Sequence, residues 1–190
     1  MCRDAGAGAL GFNFFPGSKR FIDPAAAIPW IRELGDAVAR VAVVVNPDKA
    51  LVTKLAEAGC FEAIQFHGDE TPDFCRRAGF VPWIKAIRVQ SADSLAAALE
   101  FSAAAILLDS WSAGAYGGTG HRLDWDLARD FLKAHPDRRF VLAGGLNVGN
   151  VRQAVRIVQP AAVDVASGVE SSPRKKDPYL VREFVDQVRS

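Results

Sequence analysis

Short apolar segments alternate along this chain with amphipathic segments about ten residues long, a spacing typical of strands that alternate with helices. The apolar segments predict seven strands, at Ala9–Phe15, Arg40–Val45, Ala63–Phe66, Trp83–Ile87, Ala104–Leu108, Phe140–Ala143 and Ala161–Val165. Because these segments are apolar on both faces, they indicate a parallel sheet that is covered by helices.

Capping residues mark the expected helix starts. A polar residue followed by proline predicts a start at Asp23-Pro24, Asn46-Pro47, Thr71-Pro72 and Asp177-Pro178. Caps without proline are predicted at Ser91, Asp124 and Asn147, and helix ends at Gly59 and Gly79. Pro29 falls inside the first predicted helix, and we expect it to kink or shorten that helix.

The predicted sheet could be open or closed. An open, doubly wound sheet usually carries a GxGxxG motif or a P-loop after its first strand, and this chain has neither. Its glycine turns follow the last two strands, which favours a closed (β/α)₈ barrel. Seven strands are visible, and Met1–Gly6 has the pattern of a helix tail. We therefore predict an α/β fold in a single domain over residues 1–190, a TIM barrel that lacks its first strand and has two unpaired edges.

Composition excludes several classes of function. The 23 basic and 22 acidic residues leave a net charge of +1, which offers no basic surface for nucleic acid. No apolar run is long enough to span a membrane, and no signal-peptide pattern opens the chain. The three cysteines form no CxxC pair, so we expect a reduced, cytoplasmic protein. Monomer and homodimer both stay open.

The turns after the last two predicted strands indicate a phosphate site. Gly144-Gly145 follows one strand, and Ser167-Gly168 follows the next. Glycine lets backbone N–H groups approach an anion closely, and a helix start adds partial positive charge. Either turn alone is compatible with an ordinary strand-to-helix connection. Together they fit the phosphate cradle at the last two strands of a barrel and predict a phosphorylated small-molecule ligand.

A carboxylate ends the fifth predicted strand. Asp109 follows the apolar run Ile106–Leu108, which places it at the mouth of the expected barrel. Partial loss of hydration raises the pKa of a carboxyl group and suits it to hold a proton for general acid catalysis. The alternative is that Asp109 caps the following loop or pairs with a lysine.

The loop after Asp109 is long and rich in glycine. Residues 110–122 include Gly114, Gly117, Gly118 and Gly120. Such a loop over a barrel mouth can close as a lid that excludes water. The alternative is a flexible surface loop with no role in the site.

Seven stretches of the chain resemble successive motifs of the phosphoribosylanthranilate isomerase family. They are GFNFFPGSKRFIDP (11–24), VVVNPD (43–48), AIQFHGDE (63–70), ILLDS (106–110), YGGTGHRLDW (116–125), LAGGLN (142–147) and VDVASGVESSPRKKD (163–177). They occur in the family's order and cover nearly the whole chain. This ordered set is much more specific than any one glycine motif.

The resemblance implies a single-domain (β/α)₈ enzyme of tryptophan biosynthesis that uses no metal and no organic cofactor. The family catalyses the Amadori rearrangement of N-(5′-phosphoribosyl)anthranilate to 1-(2-carboxyphenylamino)-1-deoxyribulose 5-phosphate. An acid protonates the furanose ring oxygen and opens the sugar to a Schiff base. A base then removes the C2 proton, and the resulting enolamine tautomerises to the ketone.

The resemblance also assigns roles to individual positions. Asp109 matches the general acid, Arg20 the arginine near the anthranilate carboxylate, and His67 a substrate-pocket histidine. Asp164 matches a strand-end aspartate that can hold a sugar hydroxyl. The phosphate contacts implied are Gly144, Gly145, Ser167 and Gly168, largely through main-chain N–H groups. From the residues alone, Arg20 could be a solvated loop arginine, and His67 and Asp164 could be structural. The basic run Arg174–Lys176 could steer an anionic substrate or be a solvated helix entry.

The family's general base, a cysteine at the end of the first strand in a KxCGxT-like motif, has no counterpart in this sequence. Cys2 lies just before the second barrel strand, and Cys60 and Cys75 fall on helices, where we expect them to pack against the sheet. Two explanations compete. Either the native protein has a first strand upstream of Met1, or the protein begins at Met1 as a damaged or repurposed barrel; we expect the former.

Two other functions remain open on the sequence. The absent cysteine permits a barrel that binds a phosphate ligand without catalysis, and the same scaffold could serve another sugar-phosphate isomerase or lyase. A second phosphate on the substrate would need a second glycine cradle, and the sequence predicts only one.

Overall fold

The computed structural model describes residues 1–78, 82–110 and 123–190. In these residues seven parallel strands form one sheet and follow one another in chain order from edge to edge. Their bounds are β1 Ala9–Asn13, β2 Ala39–Val44, β3 Ala63–Phe66, β4 Trp83–Val89, β5 Ala105–Ser110, β6 Phe140–Leu142 and β7 Ala162–Val163. Each predicted strand coincides with one of them, so the α/β fold with seven parallel strands is confirmed.

Helices alternate with these strands and cover the outer face of the sheet. Within the described residues they are α1 Pro24–Arg32, α2 Lys49–Glu57, α3 Pro72–Arg77, α4 Ala92–Ala98, α5 Trp125–Ala134, α6 Val151–Val158 and α7 Pro178–Arg189. The predicted caps Asp23, Thr71, Asp124 and Asp177 each accept a hydrogen bond from the first turn of their helix, and Ser91 forms a capping box with Ser94. Pro29 lies inside α1, which nevertheless runs on to Arg32.

Two predicted caps were wrong. Helix α2 is capped by Asp48 and not by Asn46, because Asn46 adopts a left-handed φ of 44° and its side-chain oxygen accepts the N–H of Asp69. Helix α6 follows Asn150 and not Asn147, whose side chain accepts the N–H of Gly149 in a turn before the helix. Gly59 ends α2 with a φ of 62°, as predicted. Gly79 lies outside the described residues.

Residues 1–7 have the hydrogen-bond pattern of a helix end. Ala5 N–H donates to Met1 O, Gly6 N–H to Arg3 O, and Ala7 N–H to Cys2 O. Gly6 adopts a φ of 94°, which is the left-handed conformation that glycine favours one residue past a helix. This agrees with the predicted helix tail at Met1–Gly6.

The sheet curls, and its inner face is buried at the central strands and exposed to solvent at the edge strands. Ala86, Leu107 and Ala143, on β4 and β5 and just after β6, pack together on the inner face and are buried. On the edge strands, inward positions Ala9 and Ala162 are exposed. Because side chains alternate between the two faces of a strand, all five of these residues point inward. All five are also apolar, so their exposure differs because their strands lie at the centre or at the edge of the sheet.

Contacts distant in sequence bring the two edges toward each other. The Arg20 guanidinium, in the loop after β1, pairs with the Glu170 carboxylate, which follows β7. Arg189 Nη2 at the end of α7 donates to Gly6 O at 3.0 Å. Both contacts join the flank of β1 to the flank of β7, so the sheet cannot be flat.

The segment after β7 contains a small hairpin that the sequence did not predict. Strands β8 Glu170–Ser172 and β9 Lys175–Lys176 pair antiparallel after a short 3₁₀ turn over Ser167–Val169. Helix α7 therefore begins ten residues later than a direct strand-to-helix turn would place it, counted from Gly168 to Pro178. None of the described helices combines the length and apolarity that crossing a membrane requires.

The turns after β6 and β7 are in direct contact. A Cβ atom placed on Gly168 would lie 1.9 Å from the backbone oxygen of Leu146. Only hydrogen fits there, so glycine at this position lets the two turns meet.

We expect Gly168→Ala to lower the free energy of unfolding by ~1–3 kcal/mol, the usual cost of overpacking. Gly8→Ala is the matched control, since no atom lies within 4 Å of its added Cβ, and we expect a change within about 0.5 kcal/mol. Urea denaturation of the two variants measures both. Equal midpoints would contradict the close approach of the two turns.

Candidate active site

A hydrogen bond joins side chains from two strands that are not neighbours. His67, directly after β3, places Nε2 3.1 Å from Asp109 Oδ2 on β5. Strands two apart in a flat sheet are separated by ~10 Å, so this contact depends on the inward curvature of the sheet. Both side chains are largely buried, with 12% of His67 and 5% of Asp109 exposed. The predicted acid therefore lies beside the predicted pocket histidine.

Gln65 fixes the orientation of the His67 ring. Its amide nitrogen lies 2.9 Å from His67 Nδ1. An amide N–H₂ group can only donate, so Nδ1 is the acceptor and Nε2 carries the ring proton. The Nε2–H group therefore donates the hydrogen bond to Asp109 Oδ2. Ser110 N–H donates to the other Asp109 oxygen, Oδ1, at 2.8 Å. The carboxylate is thus held by one donor on each oxygen.

Asp164 lies at the end of β7, close enough to this pair for their charges to affect its ionisation. Solvent reaches the residue from the open inner face. The protein atoms packed around its carboxyl group nevertheless raise its pKa, and the nearby Asp109 carboxylate raises it further. The charges of His67 and Lys176 act in the opposite direction. Three strand ends, of β3, β5 and β7, therefore contribute polar groups to one inner cluster.

The predicted phosphate turns lie on the same rim as Asp109. Gly144, with a φ of 82°, packs so closely on Ser110 that an added Cβ would lie 2.4 Å from Ser110 N. Among the described residues, none accepts a hydrogen bond from the backbone N–H groups of Gly144, Gly145, Ser167 or Gly168. These donors line two touching turns next to the acid-bearing strand, which is the arrangement an anion site requires.

Arg20 is engaged by Glu170 rather than exposed in its loop. Its Nε lies 2.8 and 3.1 Å from the two carboxylate oxygens, and Nη2 also donates to Oε2. The Glu170 side chain is 4% exposed. The Arg20 guanidinium holds the pKa of Glu170 below its ordinary value, and Glu170 raises the pKa of Arg20. The fork that was expected to meet a ligand carboxylate is therefore partly occupied.

The basic run Arg174–Lys176 divides into two kinds of residue. Arg174 and Lys175 are exposed. Lys176 donates to Ala166 O at 2.7 Å and lies 3.3 Å from Glu170 Oε1. Lys176 thus supports the turn after β7, whereas the other two side chains are solvated.

The three cysteines lie away from the rim. Cys75 is fully buried on α3, and burial raises the pKa of its thiol to about 11. Cys60 is buried between α2 and β3, and burial raises its pKa as well. Cys2 sits in the turn before β1, with Sγ 3.9 Å from Met1 Sδ. The expectation that Cys60 and Cys75 pack in the core is confirmed, and none of the three is placed to act on a ligand at the rim.

Of the glycine-rich lid predicted over residues 110–122, all but Ser110 lies outside the described residues. So does most of the YGGTGHRLDW motif, of which Leu123, Asp124 and Trp125 are described at the start of α5.

The chain matches one protein family along nearly its whole length. The family model described as N-(5'phosphoribosyl)anthranilate (PRA) isomerase matches residues 1–187. The chain belongs to this family. It is 45% identical over 193 aligned residues to the N-(5'-phosphoribosyl)anthranilate isomerase of Citrifermentans bemidjiense, with 100% of this chain and 90% of that protein covered. The resemblance seen in the motifs is confirmed.

Solved structures of the family have the same fold. The phosphoribosyl anthranilate isomerase of Thermotoga maritima superposes with a TM-score of 0.88 at 39% identity, covering 99% of this chain and 91% of that one. Another solved structure is that of a phosphoribosyl anthranilate isomerase in complex with reduced 1-(o-carboxyphenylamino)-1-deoxyribulose 5-phosphate. It matches with a TM-score of 0.83 at 36% identity, covering 99% of this chain and 90% of that chain.

Sequence reasoning missed three polar residues that lie close to the site. Gln65 is the one polar residue of β3, Lys85 is one of two on β4 together with Arg88, and Glu170 follows the second glycine turn. Gln65 and Glu170 stand inside motifs quoted for the family, and a polar side chain in a buried strand is itself a signal, since burial requires a partner. What the sequence could not give is which partner each one has.

The raised pKa of Asp164 predicts a pH-dependent effect on stability. When the pKa of an aspartate is higher in the folded than in the unfolded chain, its ionisation destabilises the fold. The free energy of unfolding then falls as the pH rises from the unfolded-state pKa, ~3.9, through the folded-state pKa. Because the Asp164 side chain is exposed to solvent, we expect a small effect: Asp164→Asn should raise the Tm slightly at pH 7, and this difference should disappear toward pH 4. Thermal unfolding between these pH values measures it.

Asp137→Asn is the control, because Asp137 is exposed in the loop before β6. Its Tm should follow that of the unchanged chain at every pH. A Tm for Asp164→Asn that falls below the unchanged chain at pH 7 would show that the carboxylate is stabilised by the fold.

Proposed function

We propose that the rim described above carries the family's reaction, the Amadori rearrangement of N-(5′-phosphoribosyl)anthranilate to 1-(2-carboxyphenylamino)-1-deoxyribulose 5-phosphate in tryptophan biosynthesis. One observation carries the proposal. The Asp109 carboxyl group is hydrogen-bonded to His67 and to Ser110 N–H. Ser110 in turn contacts the turn at Gly144, whose N–H groups are available to a ligand. A proton donor and an anion site thus lie side by side on one rim.

The substrate's phosphate binds at the two glycine turns. Gly144, Gly145, Ser167 and Gly168 offer backbone N–H groups that bind no described acceptor. Fixed N–H donors stabilise a phosphate without a counter-charge from lysine or arginine. This places the ribose between the turns and Asp109, with Asp164 available to hold a sugar hydroxyl.

Arg20 binds the anthranilate carboxylate through the part of its guanidinium that Glu170 leaves open. Glu170 takes Nε and Nη2, whereas Nη1 binds no acceptor among the described residues. A guanidinium group that is held from one side is pre-organised to donate hydrogen bonds to a second carboxylate on its other side. Glu170 thus limits the directions from which the anthranilate ring can enter.

Asp109 is the general acid. In its protonated form, with the proton on a lone pair that the bonds from His67 and Ser110 leave free, Asp109 donates that proton to the furanose ring oxygen. The bond from that oxygen to C1 breaks, and the nitrogen lone pair forms the C1=N bond. A base then removes the proton from C2, the electron pair forms a C1=C2 bond, and the neutral enolamine tautomerises to the ketone. General acid–base groups of this kind contribute ~10²–10⁴-fold each.

Among the described residues, no cysteine lies at the rim to serve as the base. The exposed inner positions of β1 and β7, the helix end at residues 1–7, and the two contacts between the sheet flanks support a (β/α)₈ barrel that one more parallel strand would close. We infer that this strand brings the general-base cysteine, and that residues 1–190 alone catalyse the reaction poorly.

We propose further that residues 1–190 form a single barrel domain that works in the cytoplasm as a monomer or homodimer. The reduced thiols Cys60 and Cys75 are buried in its core, which is compatible with a reducing compartment.

Residues 1–190 should bind the reduced product analogue, reduced 1-(o-carboxyphenylamino)-1-deoxyribulose 5-phosphate, in isothermal titration calorimetry. The same compound without its phosphate is the control, and we expect it to bind at least ~10-fold more weakly, since hydrogen bonds to a charged group contribute ~1.5–3 kcal/mol. Substrate turnover, followed by loss of the substrate's fluorescence, should be slow or absent.

Three outcomes would each contradict a different part of the proposal. Equal binding of both compounds would contradict the phosphate site. Rapid turnover by residues 1–190 would show that the base has been misplaced. Tight binding without turnover, even after a first strand with its cysteine is added, would favour a phosphate-ligand-binding protein that has lost catalysis.

With a first strand of the family's sequence added at the N-terminus, Asp109→Asn should lower kcat by ~10²–10⁴-fold, because the amide keeps the shape but holds no transferable proton. Asp137→Asn in the same protein should leave kcat unchanged. Near-normal turnover by the Asp109 variant would remove Asp109 from the role of acid.

A further inference from the structure

A fully buried ion pair lies beneath the loop that carries His67. Lys85 Nζ on β4 is 2.8 Å from Glu70 Oε2, and the two side chains are 3% and 2% exposed. Lys85 alternates with Ile84 and Ala86, which face the inner cluster, so it points to the helix-covered side, where its Nζ lies 5.5 Å from the centre of the Phe101 ring. Lysine is almost never fully buried unless it is paired.

The pair binds the backbone on both sides of His67. Lys85 Nζ donates to Gly68 O at 2.6 Å and to Phe66 O at 3.4 Å, in addition to Glu70. The three donors of the ammonium group are thereby used. The carbonyl groups that precede and follow His67 are held by one cation.

Glu70 completes the arrangement from the other side. Its carboxylate accepts the N–H of Gly68 at 3.0 Å and the N–H of Asn46 at 2.8 Å. Asn46 in turn accepts Asp69 N–H, and the His67 N–H donates to Val44 O at 2.8 Å. The segment after β3 is therefore fixed to the end of β2 and the loop that follows it, in part through Glu70 and in part through these two further bonds.

Stability alone does not account for such a pair. Removing two charges from water costs several kcal/mol per ion, and well-packed apolar residues of similar volume are often as stabilising or more so. What apolar residues cannot supply is the set of directional bonds to Phe66 O, Gly68 O and Gly68 N–H. These bonds fix the main chain from which the His67 ring reaches Asp109.

We propose that Lys85 and Glu70 are positioning residues for the active site, which hold the His67 imidazole in line with the Asp109 carboxylate. The inference rests on the proposed function for its catalytic meaning. The positioning of the His67 ring itself can be measured without turnover.

A second ion pair in the same part of the fold provides a matched control. Arg40 at the start of β2 pairs with Glu62, directly before β3, and Glu62 also accepts the Arg40 N–H. This pair joins the same two strands as Glu70 does, but at their opposite ends. Loss of either pair should affect stability, whereas only loss of Lys85–Glu70 should affect His67.

The test compares Lys85→Met/Glu70→Gln with Arg40→Met/Glu62→Gln in residues 1–190. The glutamine oxygen keeps an acceptor for the backbone N–H groups, and no unpaired charge stays buried. In protein labelled with ¹⁵N-histidine, the His67 ring nitrogens, assigned by their loss in His67→Gln, should show the Nε2–H tautomer in the unchanged chain and in the control. In the Lys85 variant they should show mixed tautomers. His135, packed on Phe131 at 4.7 Å between ring centres, is an internal reference.

Affinity for reduced 1-(o-carboxyphenylamino)-1-deoxyribulose 5-phosphate gives a second readout, which should weaken by roughly 10-fold or more in the Lys85 variant and stay unchanged in the control. Unchanged His67 signals in a folded Lys85 variant overturn the inference, whatever the affinity. Absence of analogue binding by the unchanged chain contradicts the proposed function and leaves the histidine measurement valid.

If the Lys85 variant does not fold, the inference can still be tested in the unchanged chain. The ammonium protons of Lys85, observed by ¹⁵N-lysine NMR, should exchange slowly and show nuclear Overhauser contacts to Gly68. Rapid exchange like that of the surface lysines would show that Lys85 does not bind the loop and would overturn the inference.

Discussion

The parallel pairing of seven strands within a curled sheet is the constraint on which this site depends. Parallel strands end on the same rim, and curvature turns their inward side chains toward one another. The hydrogen bond between His67 and Asp109 crosses over β4 to join β3 with β5. Asp164 adds a group from β7, and the glycine turns add N–H donors from the loops after β6 and β7. No single segment of the chain contains the site.

The sequence predicted the elements well because the strands are uniformly apolar and most helices begin at residues with one clear capping geometry. It failed at Asn46 and Asn147, which had equally good capping chemistry. Both side chains bind backbone N–H groups in loops, Asn46 across to Asp69 and Asn147 within its own turn. A local pattern cannot show that a side chain is already used by a neighbouring loop.

The site was predictable in its residue types and less so in its connections. Asp109 and the glycine turns could be placed from strand ends, since those positions follow from the order of elements. That Arg20 is bound by Glu170, 150 positions away, depends on closure of the sheet flanks. The same holds for the pairing of Lys85 with Glu70, which requires the register between β3 and β4. Long-range partners are fixed by the whole fold.

The close contact between Gly144 and Ser110 has a consequence for how this rim can change over evolutionary time. A Cβ atom added to Gly144 would lie 2.4 Å from Ser110 N, and that N–H is the donor to Asp109 Oδ1. Any bulkier residue at 144 would require a shift of this turn or of Ser110, which lies on the same strand as Asp109. The Gly144 turn and Asp109 therefore form one structural unit. Under the proposed function, a new anionic ligand would be accommodated more easily by changes in the loop around Arg20 than by changes in this turn.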